Sequence, residues 1–523
     1  MVFFSQCAKR GNPNGGPKDT IPPVVLKSSP ENYSINFKGD EIKIYFDEFI
    51  KLKALQQQLI VSPPLTYQPV ITPISAAKVL KIKIKDTLEE NTTYVFNFGT
   101  SIVDNNEGNE FEYFEYVFST GDYIDSLQVR GTLKESLYPN LQQRTTVMLY
   151  EVSETFTDSI LFKEKPKYVT STKEGDAQFE LRNLKEGTYM LVALQEETSN
   201  YTYEPRTDKV AFLKEFVQIP TDSTFQLSLF EETLPYQMTR PSHISKHKIA
   251  FGYEGNVDSL NVNPMFSVPE GYSSRWLRDP KKDSLNYWFK PAFDITQTDT
   301  LTFLAKNRGQ LDTLQVKLKE LYADSLEVRL VGSSTIIPRD SVRIGANTPL
   351  SSFNEEKIVL LDKDSLVLDK QVVLDTLRNE AVLVFDKAED QTYRLTAYPE
   401  ALTDFFEQTN DTLQYTLRTK ALSDYGTIQF NLQGLEDFPV LVELTNEKFE
   451  VVASTYLEEN NLVYFDYLEP ANYFLRIVYD TNKNKQWDTG NYLQKLQPEK
   501  IVYYPSPIEI RANWDKNETF ILE

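Results

Sequence analysis

One cysteine in 523 residues, Cys7, leaves no internal disulfide, so each folded part has to be held by its own core. After residue 7 no uninterrupted apolar run approaches the roughly 18 residues that a membrane-spanning helix needs. Positive charge is scarce as well: 55 Lys and Arg stand against 76 Asp and Glu, giving a formal net charge of -21 and a pI near 4.8. Phosphate contacts need clustered Lys and Arg, so this balance argues against nucleic acid as a partner. Histidine is limited to His243 and His247. Their i, i+4 spacing would suit two zinc ligands on one helix face, but no Glu stands beside the first and no third ligand is in view. Nor does any carboxylate stand out in an apolar setting with a second about 5 to 10 Å away, as glycoside hydrolysis requires. The chain reads as non-enzymatic, with no cofactor beyond a candidate structural calcium.

What is present favours strands. Aromatics make up 13% of the chain, with 30 Tyr and 32 Phe, and these residues suit pleated, half-buried surfaces. A length of 523 residues fits three to five domains of about 100 to 200 residues each. Period-two or continuous apolar runs such as Ile42–Phe46, Val79–Ile84 and Tyr94–Phe98 are separated by turn signals, and Pro22-Pro23 and Pro63-Pro64 punctuate strand edges. No long 3.6-residue stripe competes with them. The fold class is all-β, a tandem array of sandwiches.

The chain opens with Cys7 followed by a Gly/Pro/Asn-rich run to Pro23, which reads as a tether, covering residues 1-21. Met1–Gln6 is like the tail of a signal h-region, although Gln6 stands where a small residue is usual before a processed cysteine. The segment is too short for a whole signal, so the numbering begins inside a longer precursor or the start has been placed too late. A lipidated Cys7 is the reading this supports; the alternative is a free thiol near a frayed terminus.

Five modules follow: 22-122, 123-229, 230-320, 321-421 and 422-523. The motifs Pro22-Pro23-Val24-Val25, Phe46-Asp47-Glu48-Phe49, Val61-Ser62-Pro63-Pro64, Asn91-Thr92-Thr93-Tyr94 and Ile102–Asn109 resemble the bacterial Ig-like domain that opens a family of Bacteroidota lipoproteins. The resemblance implies a lipid anchor on Cys7 and an Ig-like sandwich after it, and no reaction. Residues 123-229, with Leu127–Leu133 and Phe179–Leu194, are similar to transthyretin-like or carboxypeptidase-regulatory-like sandwiches. Leu184–Tyr189 aligns without a gap with Leu468–Tyr473, so 422-523 reads as a second transthyretin-like copy. A looser repeat pairs Thr93-Tyr94 with Thr392-Tyr393, Asp104 with Asp404 and Ser119-Thr120 with Arg418-Thr419, making 321-421 a second Ig-like domain. Residues 230-320 are the least legible and are assigned a sandwich.

Two further patterns carry chemistry. Asp480, Asn482, Asn484, Gln486 and Asp488 alternate as oxygen ligands do around calcium, but Lys485 stands where an EF-hand has Gly and Asn491 where it has a bidentate Glu. The corresponding earlier loop keeps only Glu196, Thr198, Asn200 and Glu204. An Asn-rich hairpin bonding its own backbone is the alternative. Asp followed by Ser or Thr and then an aliphatic residue or Thr occurs fourteen times, with acceptors Thr20, Thr87, Ser126, Ser159, Ser223, Ser259, Ser284, Thr300, Thr313, Ser325, Ser341, Ser365, Thr376 and Thr412. This resembles the O-glycosylation motif of exported Bacteroidota proteins; a turn Asp opening a strand explains the same pattern.

Two functional classes remain. The first is a lipid-anchored accessory or scaffold subunit of an outer-membrane complex, with a β-barrel and other lipoproteins as partners, possessing loops and edge strands for docking. The second is a surface glycan-binding or adhesion lipoprotein that would stack sugars on Trp276, Trp288 or Trp487. Outer-membrane localisation follows from the anchor. The residues after Cys7 lack the acidic cluster of surface-exported lipoproteins, which favours the periplasmic face.

Overall fold

The structure is a computed structural model that describes residues 18–141, 143–257, 259–294 and 299–522. Cys7 therefore lies outside the described residues. Among them, helical geometry is limited to Leu55–Gln58 and the 3-10 segments Asp158–Phe162, Glu355–Lys357 and Leu422–Asp424. The protein is all-β, its sheets packed as tandem sandwiches. Two compact units are formed: one from the residues up to Glu232 together with Asp488–Pro498, the other from Thr233–Trp487 and Glu499–Glu523.

The first unit begins with a sandwich whose larger sheet is ordered Val25–Ser29, Glu41–Leu52, Ala77–Lys83, Val70–Thr72, facing a sheet of Ile60–Ser62, Thr93–Asn97 and Glu115–Ser119. Alternation decides which side chains enter the core. Ile42, Ile44 and Phe46 are buried with Leu80, Ile82, Phe96 and Phe118, while Lys43 and Lys81 point outward. Asp104 ends the strand Ile102–Asp104 and is buried, yet its carboxylate accepts the N–H groups of Asn106, Glu107 and Asn109 at 2.6–2.7 Å. Burial pushes its carboxyl upward, but these hydrogen bonds outweigh that and leave it below its ordinary value.

The second sandwich pairs a sheet around Thr146–Glu151 and Gly187–Gln195 with one ordered Gln178–Leu184, Leu127–Glu135, Thr224–Leu229, the last two strands running parallel. A side chain at Gly131 would overlap the Phe225 carbonyl and the Phe179 ring, which explains the glycine in this strand. Arg144 joins the two sandwiches. Its guanidinium donates to the Gln57 carbonyl and the Gln58 side chain at 3.0 Å and to Ser171 Oγ at 2.7 Å. Val169 N–H donates to Ser62 Oγ at 3.1 Å, and Ile60 is buried in the apolar cluster of the second sandwich.

Asp488–Pro498 completes that cluster. Tyr492 is fully buried among Phe162, Tyr203 and Phe212, with ring centroids 5.4–6.5 Å away. A Cβ on Gly490 would sit 2.6 Å from the Phe230 ring, so the close approach requires glycine.

The second unit contains three further apolar clusters, within 236–318, 328–417 and 428–522. Its hydrogen bonds repeat those of the first. Tyr94 Oη accepts the Glu89 N–H at 2.9 Å, and Tyr393 Oη accepts that of Ala388 at 2.8 Å. Thr120 Oγ1 donates to the Glu89 carbonyl and Thr419 Oγ1 to that of Ala388, each at 2.7 Å. Likewise Tyr189 Oη donates to the Lys185 carbonyl and Tyr473 Oη to that of Glu469. The strand Asp515–Ile521 runs parallel to Gly426–Gln433, as Thr224–Leu229 does to Leu127–Glu135.

Candidate functional site

The strand Val25–Ser29 lies at the edge of its sheet and, among the described residues, pairs with Glu41–Leu52 alone. Its neighbourhood is apolar and open: Val24, Leu26 and Phe49 are 50%, 66% and 52% exposed. The register slips between Tyr45 and Ile50, and the Phe46-Asp47-Glu48-Phe49 motif accordingly buries its first aromatic and exposes its last. Asp47 fixes the edge by accepting the Val24 N–H at 2.8 Å, and Lys78 Nζ lies 5.6 Å from the Phe49 ring centroid. Unpaired strand edges with exposed apolar side chains are where another chain can add a strand.

The Asp480 loop is organised around the buried carboxylate of Asp480. Asp480 accepts the Asn484 N–H at 3.1 Å on one oxygen and the Lys485 N–H at 2.8 Å on the other. Asn482 and Asn484 accept the N–H groups of Asn484 and Gln486, and Lys485 takes a left-handed φ of 65°. The loop thus bonds its own backbone. Asn482, Asn484 and Gln486 are exposed, and Asp488 is counted with the first unit while Asp480–Trp487 belong to the second.

The earlier loop is built alike, with Glu196 accepting the Tyr201 N–H at 2.6 Å and Asn200 donating to Glu204 at 3.0 Å. Sequence spacing missed the buried Asp208, which accepts the Glu204 N–H at 2.9 Å, and, in the Asp480 loop, the buried Glu499, which accepts Thr481 N–H and Oγ1 at 2.7 Å. Both stand just before the following strand, too far along the chain for a loop pattern to include them.

His243 lies on the strand Ser242–Ser245 and His247 in the turn after it, so no helix face presents the pair. His243 Nδ1 accepts the Lys319 N–H at 3.0 Å, and His247 Nδ1 contacts the Phe289 carbonyl at 3.1 Å. Among the described residues no cluster of three or more His, Cys, Asp or Glu is placed to hold a metal ion. The expected sugar-stacking tryptophans do not form an open platform. Trp288 is buried, Trp276 packs on Phe251 and Tyr287, and Trp487 Nε1 donates to the Glu499 carbonyl at 3.0 Å.

Eleven of the fourteen Asp-Ser/Thr acceptors are exposed; Ser159, Ser284 and Ser341 are half-buried. Several of the preceding acids cap turns, as Asp19 does for Ile21 and Asp375 for Leu377 and Arg378.

Comparison with known families decides the identity of the first sandwich. Residues 19–120 match the Bacterial Ig-like domain. The exposed edge described above is therefore the first strand of an Ig-like domain. A comparison with curated proteins returned no match. Among solved structures, similar chains include a three-domain fragment of titin (11% identity, TM-score 0.14, covering 53% of this chain and 97% of that one). The Bacillus anthracis TIE protein is similar at 10% identity and TM-score 0.14, covering 98% of this chain and 76% of that one. The eight N-terminal Ig domains of Down Syndrome Cell Adhesion Molecule give 9% identity and TM-score 0.14, covering 94% and 70%. Among the described residues no helix is long and apolar enough to cross a membrane.

Proposed function

We propose that the protein is a non-enzymatic outer-membrane lipoprotein, anchored through Cys7, that serves as an accessory or scaffold subunit of a larger complex containing a β-barrel and other lipoproteins. The observation that carries this reading is the open edge of the Ig-like domain. Val24, Leu26 and Phe49 expose half or more of their surface beside a strand with an unpaired side, and such an edge can accept a strand from another chain. A net charge of -21 opposes self-association of the chain. Barrel assembly or export is the kind of machine such a subunit would serve. The same reading places glycans on the exposed Asp-Ser/Thr acceptors.

The test is site-specific photo-crosslinking in the native bacterium, with a crosslinking residue at Leu26 or Phe49 and, as control, at the exposed Tyr322 of the second unit. A discrete adduct with an outer-membrane protein from the edge positions alone supports the proposal. Adducts that are absent, or equal from all three positions, contradict it.

A further inference from the structure

We infer that a cleft inside the first unit binds a neutral oligosaccharide. The cleft has a volume of about 780 Å³, within the roughly 300–1,000 Å³ typical of ligand sites. One wall is the outer face of Thr93–Asn97 and Glu115–Ser119, and the other is that of Leu127–Glu135 and Gln178–Leu184.

Its lining is rich in hydrogen-bonding side chains and close to charge-neutral. In a chain with net charge -21 the lining carries three cations, Arg130, Lys173 and Arg182, against three acids, Glu115, Asp176 and Glu180. A balanced lining offers no field for a polyanion or a polycation. It offers alternating donors and acceptors, which match hydroxyl groups that both give and accept hydrogen bonds.

These groups are already positioned. Glu180 accepts from Arg130 Nε at 2.8 Å and from Arg182 Nε at 2.7 Å, and Asn97 Nδ2 donates to Glu115 at 2.8 Å. Each guanidinium has five N–H donors, so both retain hydrogens beyond those pointing at Glu180. Burial pushes the Glu180 carboxyl up, and the two arginines more than offset it, so it stays ionised as an acceptor.

Tyr113 supplies an aromatic face. Its backbone has φ of 52°, left-handed and strained for a tyrosine, and Lys173 Nζ lies 4.4 Å from its ring centroid. Asn183, another non-glycine lining residue, has φ of 58°. An aromatic ring in a cleft otherwise lined by hydrogen-bonding side chains fits the C–H face and hydroxyl edge of a sugar.

The experiment uses the purified full chain, so its outcome is separate from that of the subunit proposal. A printed array of neutral oligosaccharides, with hexagalacturonate and unstructured peptides as controls, is followed by calorimetry on the hits. The expected result is binding of a neutral oligosaccharide whose affinity changes less than twofold between 50 and 500 mM NaCl, as roughly expected of a ligand without charge. Tyr113→Ala and, independently, the surface variant Arg182→Ala each weaken it at least tenfold, with melting curves verifying their fold. No neutral hit, binding of the charged or peptide controls alone, or undiminished binding by both folded variants overturns the inference.

Discussion

Tyr492 donates a hydrogen bond to the main-chain carbonyl of Asp158 at 2.9 Å, across 334 residues of sequence. The same Asp158 pairs through its carboxylate with Lys495 Nζ at 2.6 Å. Asp488–Pro498 thereby fills the outer apolar cluster of the second sandwich with one aromatic ring and closes it with a polar clasp.

Removing the ring should be costly. Truncating a buried aromatic typically loses about 3–5 kcal/mol, so Tyr492→Ala should destabilise the strand Gly187–Gln195 by that order. Tyr492→Phe should lose about 1 kcal/mol, the net worth of one hydrogen bond. Hydrogen exchange of the amides of that strand reads both; a change below about 0.5 kcal/mol for Tyr492→Ala would show that the ring does not hold the cluster.

Arg144 offers a second, independent perturbation. Burial pushes its guanidinium down from its ordinary value, and its N–H groups serve acceptors on both sandwiches of the first unit. Arg144→Ala leaves the half-buried Gln58 carbonyl and Ser171 Oγ without this donor and should cost about 2–3 kcal/mol, and Arg144→Lys should recover less than half, lacking the planar fork. Denaturant unfolding measures the loss, with faster proteolysis between Gln57 and Ile60 as a second readout.

Glu196 predicts a pH dependence. Burial, opposed by the Tyr201 N–H and reinforced by the charge of Asp208, raises its carboxyl from 4.5 to about 7. The folded state then holds the proton more tightly than the unfolded chain. This group's contribution to stability is therefore largest below about pH 4.5, falls as pH rises towards about 7 and is flat above. At about 1.4 kcal/mol per unit the loss is at most about 3.5 kcal/mol. Glu196→Gln should flatten that slope and raise stability at pH 8; an unchanged slope in denaturation across pH 5 to 8 would contradict the assignment.

Glycan occupancy should follow exposure. Peptide mass spectrometry of protein from the native bacterium should find added hexose-type mass on exposed acceptors such as Ser365 and Thr376 and none on half-buried Ser159, Ser284 or Ser341. Modification confined to the half-buried set would refute that rule.

Much of the architecture was legible because short-range pattern encodes it. Alternation at Ile42, Ile44 and Phe46 gave the inward face, and the pairing of Tyr94 with Tyr393 survives as the same hydrogen bond in both places. What was not legible depends on distant partners. Asn286–Phe289 offered no way to tell a platform from a core, because Tyr287, Trp288 and Phe289 are consecutive and all buried, so both sheet faces are covered there. Nothing near Tyr492 signalled that its contacts lie 260 to 334 residues earlier. The cleft was equally hidden, since Tyr113 and Arg182 come to line it only through folding.

The subunit reading is tested most directly by extracting native membranes in mild detergent through a C-terminal tag and quantifying everything that co-purifies. Stoichiometric recovery of an outer-membrane β-barrel together with other lipoproteins is the predicted result. Recovery of the protein alone, lipidated and monodisperse, would contradict it.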